Sequence, residues 1–347
     1  MSLMNFSLQV ITVLAVLITT GCNKEFEAKK ADEISLDSVI TAYFIKTNIS
    51  DFEREPESGI FYYPTQTANP ANRALSDGRV IYFRYELSVF NLSDTVIGTP
   101  FVSMLLQTQS IVAAHGVNAI YPVGLDIVLS ESDIHEQDTL NMLLPSDFAF
   151  GSFSLSSNVP ANSAIHVKIV LDSIKTGNEV RASQIQRINQ YVIASNLNDT
   201  AKFKGSFVIS MLGGGARYKL LGDTLLTSNP INGDLLNIVY TLRDLDSVVL
   251  DNQYAITPFE FVLNDQPIAE FIEAGLKLMR NGETAVVIAS SDVAYKESVC
   301  VLPDLSLRNT FEPYFDHLID DGIVPDYVLR VKPYTPLIVQ TRLISIN

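Results

Sequence analysis

Two stretches of the chain share one alternation. Residues 164–174, AIHVKIVLDSI, and 336–346, PLIVQTRLISI, place apolar side chains at nearly every second position, the period of a strand with one buried face. Two more runs, GRVIYFRYEL from Gly78 and GDLLNIVYTL from Gly233, are rich in β-branched and aromatic residues and read as strands. Helical spacing is confined to short pieces. In DSVITAYFIKTNI, Ile40, Tyr43 and Asn48 lie on a helix-like segment, and the same residue types recur at identical spacing as Ile188, Tyr191 and Asn196. Further helices are expected over 119–129 and 266–279. In the second of these, Ile268, Ile272, Leu276 and Met279 fall on one face.

These elements recur in order with a period of about 150 residues, which denotes two whole domains rather than a solenoid. Each helix-like leader is followed by a β-rich run, Gly59-Ile60-Phe61-Tyr62-Tyr63 in one half and Gly205-Ser206-Phe207-Val208-Ile209 in the other. Gly78 and Gly233 each precede a Tyr by seven residues, Tyr85 and Tyr240. Gly124-Leu125 then matches Gly275-Leu276, and the alternating strands close each half. An apolar helical stripe laid on a sheet gives an α+β domain, here expected twice, each with a leader helix. The domains are read as 36–178 and 179–347, with the boundary in the polar stretch KTGNEVRA at 175–182.

The first residues belong to neither repeat. Residues 8–18, LQVITVLAVLI, are apolar but too short for a membrane-spanning helix, and Thr19-Thr20-Gly21 before Cys22 are small. A short apolar run ending in small residues reads as a removable export signal, 1–21, although a buried strand with an incidental Cys fits the same letters. Gly21-Cys22 is similar to the lipobox of bacterial lipoproteins. That similarity implies lipidation of Cys22, a charged tether over 22–35, and a place in the cell envelope, with Asn23 after the anchor pointing to the outer membrane. The one other cysteine, Cys300, then has no partner for an intramolecular disulfide. In the sequence VCVL it reads as a small buried hydrophobe.

Composition narrows the function classes. Hydrophobic residues make up 47% of the 347, enough for sizeable cores. A formal charge of −15 argues against nucleic acid as a partner. The four histidines, His115, His135, His166 and His317, are scattered outside any metal-ligand spacing, so no metal or cofactor is expected. The acidic run SDIHEQD at 132–138 reads as a solvated loop. Gly213-Gly214-Gly215 lacks the Lys-Ser/Thr of a phosphate loop, and the hydrolase elbow GxSxG is absent.

Residues 275–295, GLKLMRNGETAVVIASSDVAY, resemble the FKBP-type peptidyl-prolyl isomerase family from its central helix through a turn and strand to a site tyrosine. Gly275-Leu276, Met279, Gly282-Glu283, Ala294 and Tyr295 carry the match. In the first half LPSDFAFG at 144–151 and NVPANSAIHVKIVLDSI at 158–174 correspond. The resemblance implies two antiparallel sheets, each wrapped around a short helix, and a site for X–Pro bonds in proline-containing polypeptides. Rotation about such a bond meets a barrier of roughly 18–20 kcal/mol. A site lowers it by holding proline in an apolar, water-poor hollow with a few oriented hydrogen bonds.

For the second domain the resemblance implies a hollow formed by Tyr240, Leu250, Asp251, Phe259, Ile268, Ala269, Ile272, Tyr295 and Val339. Asp251 and Tyr295 supply the polar tips, and Ile272 stands where the family has a Trp, a residue this chain lacks entirely. Lys296 replaces a Gly after Tyr295, and the long insertion that follows, with Asp316, His317, Asp320 and Asp321, is expected to cover or reshape this hollow. The first-domain equivalents are Tyr85, Ile97, Val117, Asn118, Tyr121, Phe150 and Val167. There Tyr121 takes the Trp place, Phe150 lacks the hydroxyl, and Gly98 stands where the acid belongs. Those losses direct any turnover to the second domain and binding or scaffolding to the first. The implied function is a prolyl isomerase or folding helper of the envelope, with a non-catalytic binding or structural lipoprotein as the alternative. On residue type alone, Tyr85, Tyr240 and Phe259 also suit the core of any half-buried sheet. Asp251 suits a turn, and Tyr295 suits a packed tyrosine with a satisfied hydroxyl.

Overall fold

The computed structural model describes residues 40–41, 43–45, 47–67, 69–90, 101–155, 159–197, 217–221, 228–254, 256–265, 269–321, 323–324 and 330–347. The expected signal, Cys22, Ile97, Gly98, Ile268, the 205–209 run and Gly213-Gly214-Gly215 lie outside them. Two compact units are present, one drawn from residues within 1–64, 87–104 and 141–167, the other from 65–86, 105–140 and 168–347.

In chain order the strands are β1 (Glu53–Arg54), β2 (Phe61–Gln66), β3 (Val80–Phe90), β4 (Phe101–Ala114) and β5 (Ile120–Tyr121). Helix α1 (Gly124–Glu131), β6 (Thr139–Leu144), β7 (Ile165–Lys175) and α2 (Gly177–Ala194) follow. Then come β8 (Arg217–Leu220), β9 (Leu235–Asp244), β10 (Val249–Gln253), β11 (Phe259–Val262), α3 (Glu270–Leu276) and β12 (Thr284–Ala289). The chain ends with β13 (Cys300–Val301), α4 (Asp316–Asp320) and β14 (Leu337–Ile346).

The duplication is written in the strand order. One sheet runs β1-β2-β6-β7-β3-β4, and the other runs β8-β12-β14-β9-β10 with β11 also paired to β9. With β1 set aside, replacing β2, β6, β7, β3 and β4 by β8, β12, β14, β9 and β10 converts the first order into the second. The turns repeat as well. After β6 a 3-10 turn at Ser146–Phe148 ends on Ala149 at φ −106, ψ −113, and after β12 the turn at Ser291–Val293 ends on Ala294 at φ −101, ψ −111. Gly151 and Lys296 then each donate a backbone N–H, at 2.7 Å, to the carbonyls of Ser146 and Ser291. Before the same strands, the N–H of Gln137 reaches the Leu171 carbonyl at 2.6 Å, and that of Gly282 reaches Leu343 at 2.7 Å. The stretch 132–138, expected as a solvated loop, is therefore an ordered turn: Ile134 and Asp138 are buried, and the Asp138 carboxylate accepts the His135 N–H at 2.6 Å.

Burial follows the predicted alternation where one face meets a core. Along β9, Leu236, Ile238, Tyr240 and Leu242 point inward and their neighbours are partly exposed. β12 is buried on both faces because two layers cover it. Ala285, Val287 and Ala289 join the core that contains α3 residues Phe271, Ile272 and Leu276, whereas Val286 and Ile288 pack with Ile188 and Leu197 on and after α2. A continuous apolar strand is what burial on both faces requires. The smaller unit has its own core of Ile40, Phe44, Phe61, Tyr63, Phe90 and Leu143, with Phe44 ringed by Phe52 at 4.5 Å and Tyr63 at 5.4 Å.

Two expected elements shift. The helix expected over 119–129 begins only at Gly124, since Ile120 and Tyr121 are extended and paired, and a residue before a proline (here Pro122) disfavours helical geometry. Gly124-Leu125 thus opens α1, while Gly275-Leu276 closes α3, so these two landmarks do not sit at the same point of their helices. The polar stretch at 175–182 is the end of β7, one cap residue and the first turn of α2. Thr176 and Glu179 form a reciprocal capping box there, the Thr-x-x-Glu signature of a helix start.

Candidate functional site

The described residues assigned to the second hollow lie on β9, β10, β11, β14, α3 with its cap residue, and the turn after β12. Tyr240, Ala269, Ile272, Tyr295 and Val339 are buried in one apolar cluster, with Leu250 and Phe259 packed partly buried against it. Pairing of β9 with β10 and β11 puts Tyr240 opposite Gln253 and Ile238 opposite Phe259. The Tyr240 hydroxyl donates to the Asp251 carboxylate at 2.5 Å. Its ring meets Phe259 edge-on at 6.2 Å, and Phe259 stacks on Phe261 at 5.5 Å. These rings hold the acid at the edge of an oily wall: Leu250, Asp251 and Phe259 remain half-buried, whereas Val339 and Ile272 are sealed. Between β10 and β11, Tyr254 and Ile256 are 68% and 94% exposed, an apolar lip beside that acid in the chain.

Tyr295 is placed from behind. Gln184 on α2 is buried and donates to the Ser291 hydroxyl at 2.9 Å and to the Tyr334 carbonyl at 2.8 Å, while its amide oxygen accepts the Ser291 N–H at 2.8 Å. Arg181, one turn earlier, reaches Asp292 at 3.2 Å. The turn that presents Tyr295 is therefore pinned by Gln184, a residue more than a hundred positions earlier in sequence. Nothing in the local pattern around Gln184 singles it out; it reads as a polar residue on an amphipathic helix. Gly275 has a packing reason: a Cβ there would lie 2.5 Å from Cγ2 of Val287, so only glycine lets α3 approach β12 this closely. Lys296 occupies φ +38 where its counterpart Gly151 has +56, a conformation that favours glycine.

The first hollow has a different environment. Tyr85 and Tyr121 are 4% and 2% exposed, and both belong to the larger unit, as do Val117 and the insertion after Tyr295. Of that insertion, expected to cover or reshape the second hollow, residues 300–317 lie against residues assigned to the first, whereas Val331 near its end packs in the second cluster. β13 pairs in parallel with β5, Cys300 opposite Ile120 and Val301 opposite Tyr121. The N–H groups of Cys300 and Leu302 donate to the carbonyls of Ala119 and Tyr121, both at 2.8 Å. The Tyr85 hydroxyl donates to the Pro303 carbonyl at 3.2 Å, and the Tyr121 ring stacks on Phe311 at 3.9 Å with 22° between planes. Tyr314 and Phe315 approach the same ring at 5.1 and 6.3 Å, and His317 Nε2 donates to the Val117 carbonyl at 3.4 Å. Burial drives the Tyr85 and Tyr121 hydroxyls well above the ordinary phenol range, so both stay neutral. Burial likewise pushes the Cys300 thiol up to about 12, which makes it an inert core residue rather than a nucleophile. Asn118 is exposed; Phe150 and Val167 are buried in the smaller unit.

Among the described residues no cluster of three or more His, Cys, Asp or Glu could hold a metal ion, and no helix is long and apolar enough to cross a membrane. In comparisons of structure, the chain is similar to the three FKBP domains of wheat FKBP73, with 14% identity over 84% of this chain and 96% of that one, at a TM-score of 0.30. FkpA from Escherichia coli gives 16% identity over 49% of this chain and 63% of that one, at 0.31. A peptidyl-prolyl cis-trans isomerase from Pseudomonas syringae pv. tomato gives 17% over 46% and 95%, at 0.29. In sequence, residues 227–309, which span β9 through α3 to Tyr295 and into the insertion, match the family model of the FKBP-type peptidyl-prolyl cis-trans isomerases.

Proposed function

We propose that the chain is a prolyl isomerase or folding helper of the cell envelope whose activity resides in the second hollow. The observation that carries this reading is the Tyr240–Asp251 hydrogen bond of 2.5 Å at the half-buried edge of an apolar wall, inside the segment that matches the isomerase family. A proline ring seated against Tyr240, Phe259 and Ile272 would lose its water, which favours the twisted, less polar amide over the planar one. Tyr295 and Asp251 are the groups that would orient the flanking carbonyl and N–H. A covalent step is not required, because rotation breaks only resonance.

Ile272 in place of a broad aromatic floor supports a second reading, a module that binds peptides without turning them over. Protease-coupled isomerisation of a short Leu-Pro peptide by the full chain separates the two. Acceleration over buffer that falls in Asp251→Ala supports the enzyme; a rate equal to buffer, with peptide still bound, supports the module. The envelope location rests on the Gly21-Cys22 sequence. Cys22→Ser is expected to move the protein from the membrane fraction to the soluble fraction, and unchanged membrane association would overturn the anchor.

A further inference from the structure

In the insertion after Tyr295, Cys300 and Val301 run as a strand beside Ile120 and Tyr121, and the 3-10 helix Leu305–Tyr314 that follows brings Phe311 onto the Tyr121 ring. Main-chain pairing to an exposed strand edge is a recurring mode of peptide recognition, in which backbone bonds hold the peptide and side-chain pockets select it. Here β5 and β13 form a two-stranded sheet of their own, in which Cys300 and Leu302 supply backbone donors, and the Tyr85 hydroxyl donates to the Pro303 carbonyl. In the second hollow the equivalent Tyr240 hydroxyl is taken up by Asp251. In the first repeat, where the resemblance puts Gly98 in the place of that acid, the Tyr85 hydroxyl donates to the Pro303 carbonyl. Tyr121, which the resemblance assigns to the floor of a proline hollow, is capped by Phe311. Three of the residues assigned to the first hollow, Tyr85, Val117 and Tyr121, are thus engaged by one continuous stretch of the same chain.

We propose that residues 299–317 are a built-in ligand of the first hollow, a tethered Leu-Pro peptide in the place that an external polypeptide would occupy. The first repeat is then a peptide-binding module closed by its own chain, and a proline-containing segment competes for it only when residues 299–317 lift away. This rests on reading the hollows as proline-peptide sites, but not on turnover in the second.

The test uses a fluorescent synthetic peptide of residues 299–317 and the full chain. Phe311→Ser with Phe315→Ser removes two of the caps on Tyr121 and is expected to let the variant bind the peptide saturably, with affinity at least tenfold above wild type. Replacing Leu302-Pro303 in the peptide by Gly-Gly is expected to weaken that binding at least tenfold. A cooperatively melting variant that ignores the peptide, or that binds both peptides equally, overturns the proposal. Hydrogen exchange on wild type covers the case of a variant that does not fold. The Cys300 and Leu302 amides are expected to exchange through local opening at least tenfold faster than the β14 ladder amides. Exchange of all of them at one common rate would make the segment permanent core and overturn the proposal. Isomerase assays on the same samples report separately: no turnover anywhere would end the proposed enzyme activity while leaving the peptide result to stand or fall alone.

Discussion

The two hollows sit on the same strand order yet spend their tyrosines differently. In the second, Tyr240 donates to Asp251, and the acid, Leu250 and Phe259 stay half-buried at an edge with an exposed apolar lip at Tyr254 and Ile256. In the first, Tyr85 donates to Pro303 and Tyr121 stacks under Phe311, both from an insertion made by the other repeat. A buried phenol must find an acceptor. In the second copy that acceptor is a fixed carboxylate, and in the first it is a peptide carbonyl. Duplication preserved the scaffold, and substitutions at a few positions, with one insertion, redirected the copies.

The sharpest way to break this contrast is to remove the acid. On the proposed reading Asp251 orients the substrate amide, and Asp251→Ala removes a charge-assisted bond to it of the kind worth about 1.5–3 kcal/mol, so isomerase turnover by the full chain is expected to fall roughly ten- to hundredfold. Tyr295→Phe is expected to lower it as well, and a thermal melt on each variant should remain cooperative. Turnover unchanged in both would move the activity elsewhere.

Next in size is the support behind Tyr295. Gln184→Leu leaves the buried Ser291 N–H without its amide partner, a loss of about 1–3 kcal/mol in denaturant unfolding. Gly275→Ala forces a methyl against Val287 and is expected to cost about 1–3 kcal/mol, largely recovered in the double variant with Val287→Ala. Lys296→Gly matches the turn to its Gly151 counterpart. It is expected to stabilise by about 1 kcal/mol or less, since relieved strain is partly offset by a looser unfolded chain. The smallest effect concerns the start of α2. Glu179 is held at about 2 by hydrogen bonds from Arg73 and Thr176 and by the Arg73 charge. A depressed carboxyl stabilises above its unfolded value of 4.5 and loses that contribution as pH falls toward 2. The pair is exposed, so an acid titration should show only a shallow loss in that window, absent in Glu179→Gln.

Much of the fold was legible in sequence because period-2 strands such as β9 and β14 carry their burial in their own letters. The duplication was legible because spacing between landmarks survives divergence. The helices were legible in existence but not in bounds: Pro122 marks a break before α1 in the letters themselves, while the pairing of Ile120–Tyr121 with β13 is a tertiary effect that local propensity does not encode. Most residues assigned to the second hollow meet in one cluster: Tyr240, Leu250, Phe259 and Val339 come from strands, and Ala269, Ile272 and Tyr295 from α3, its cap and a turn. Two features escaped. Gln184 acts across more than a hundred residues of chain. The insertion's destination is equally silent, because VCVLPD reads as a buried strand whichever hollow it enters.

Titration of the isotopically labelled full chain with a Leu-Pro peptide, followed by amide NMR, tests the contrast between the hollows most directly. The account predicts one saturable site, with shifts around Tyr240, Asp251, Phe259 and Tyr295 and none around Tyr85 and Tyr121. Shifts at Tyr85 and Tyr121 in the wild-type chain, or no response at Tyr240 and Asp251, would contradict it.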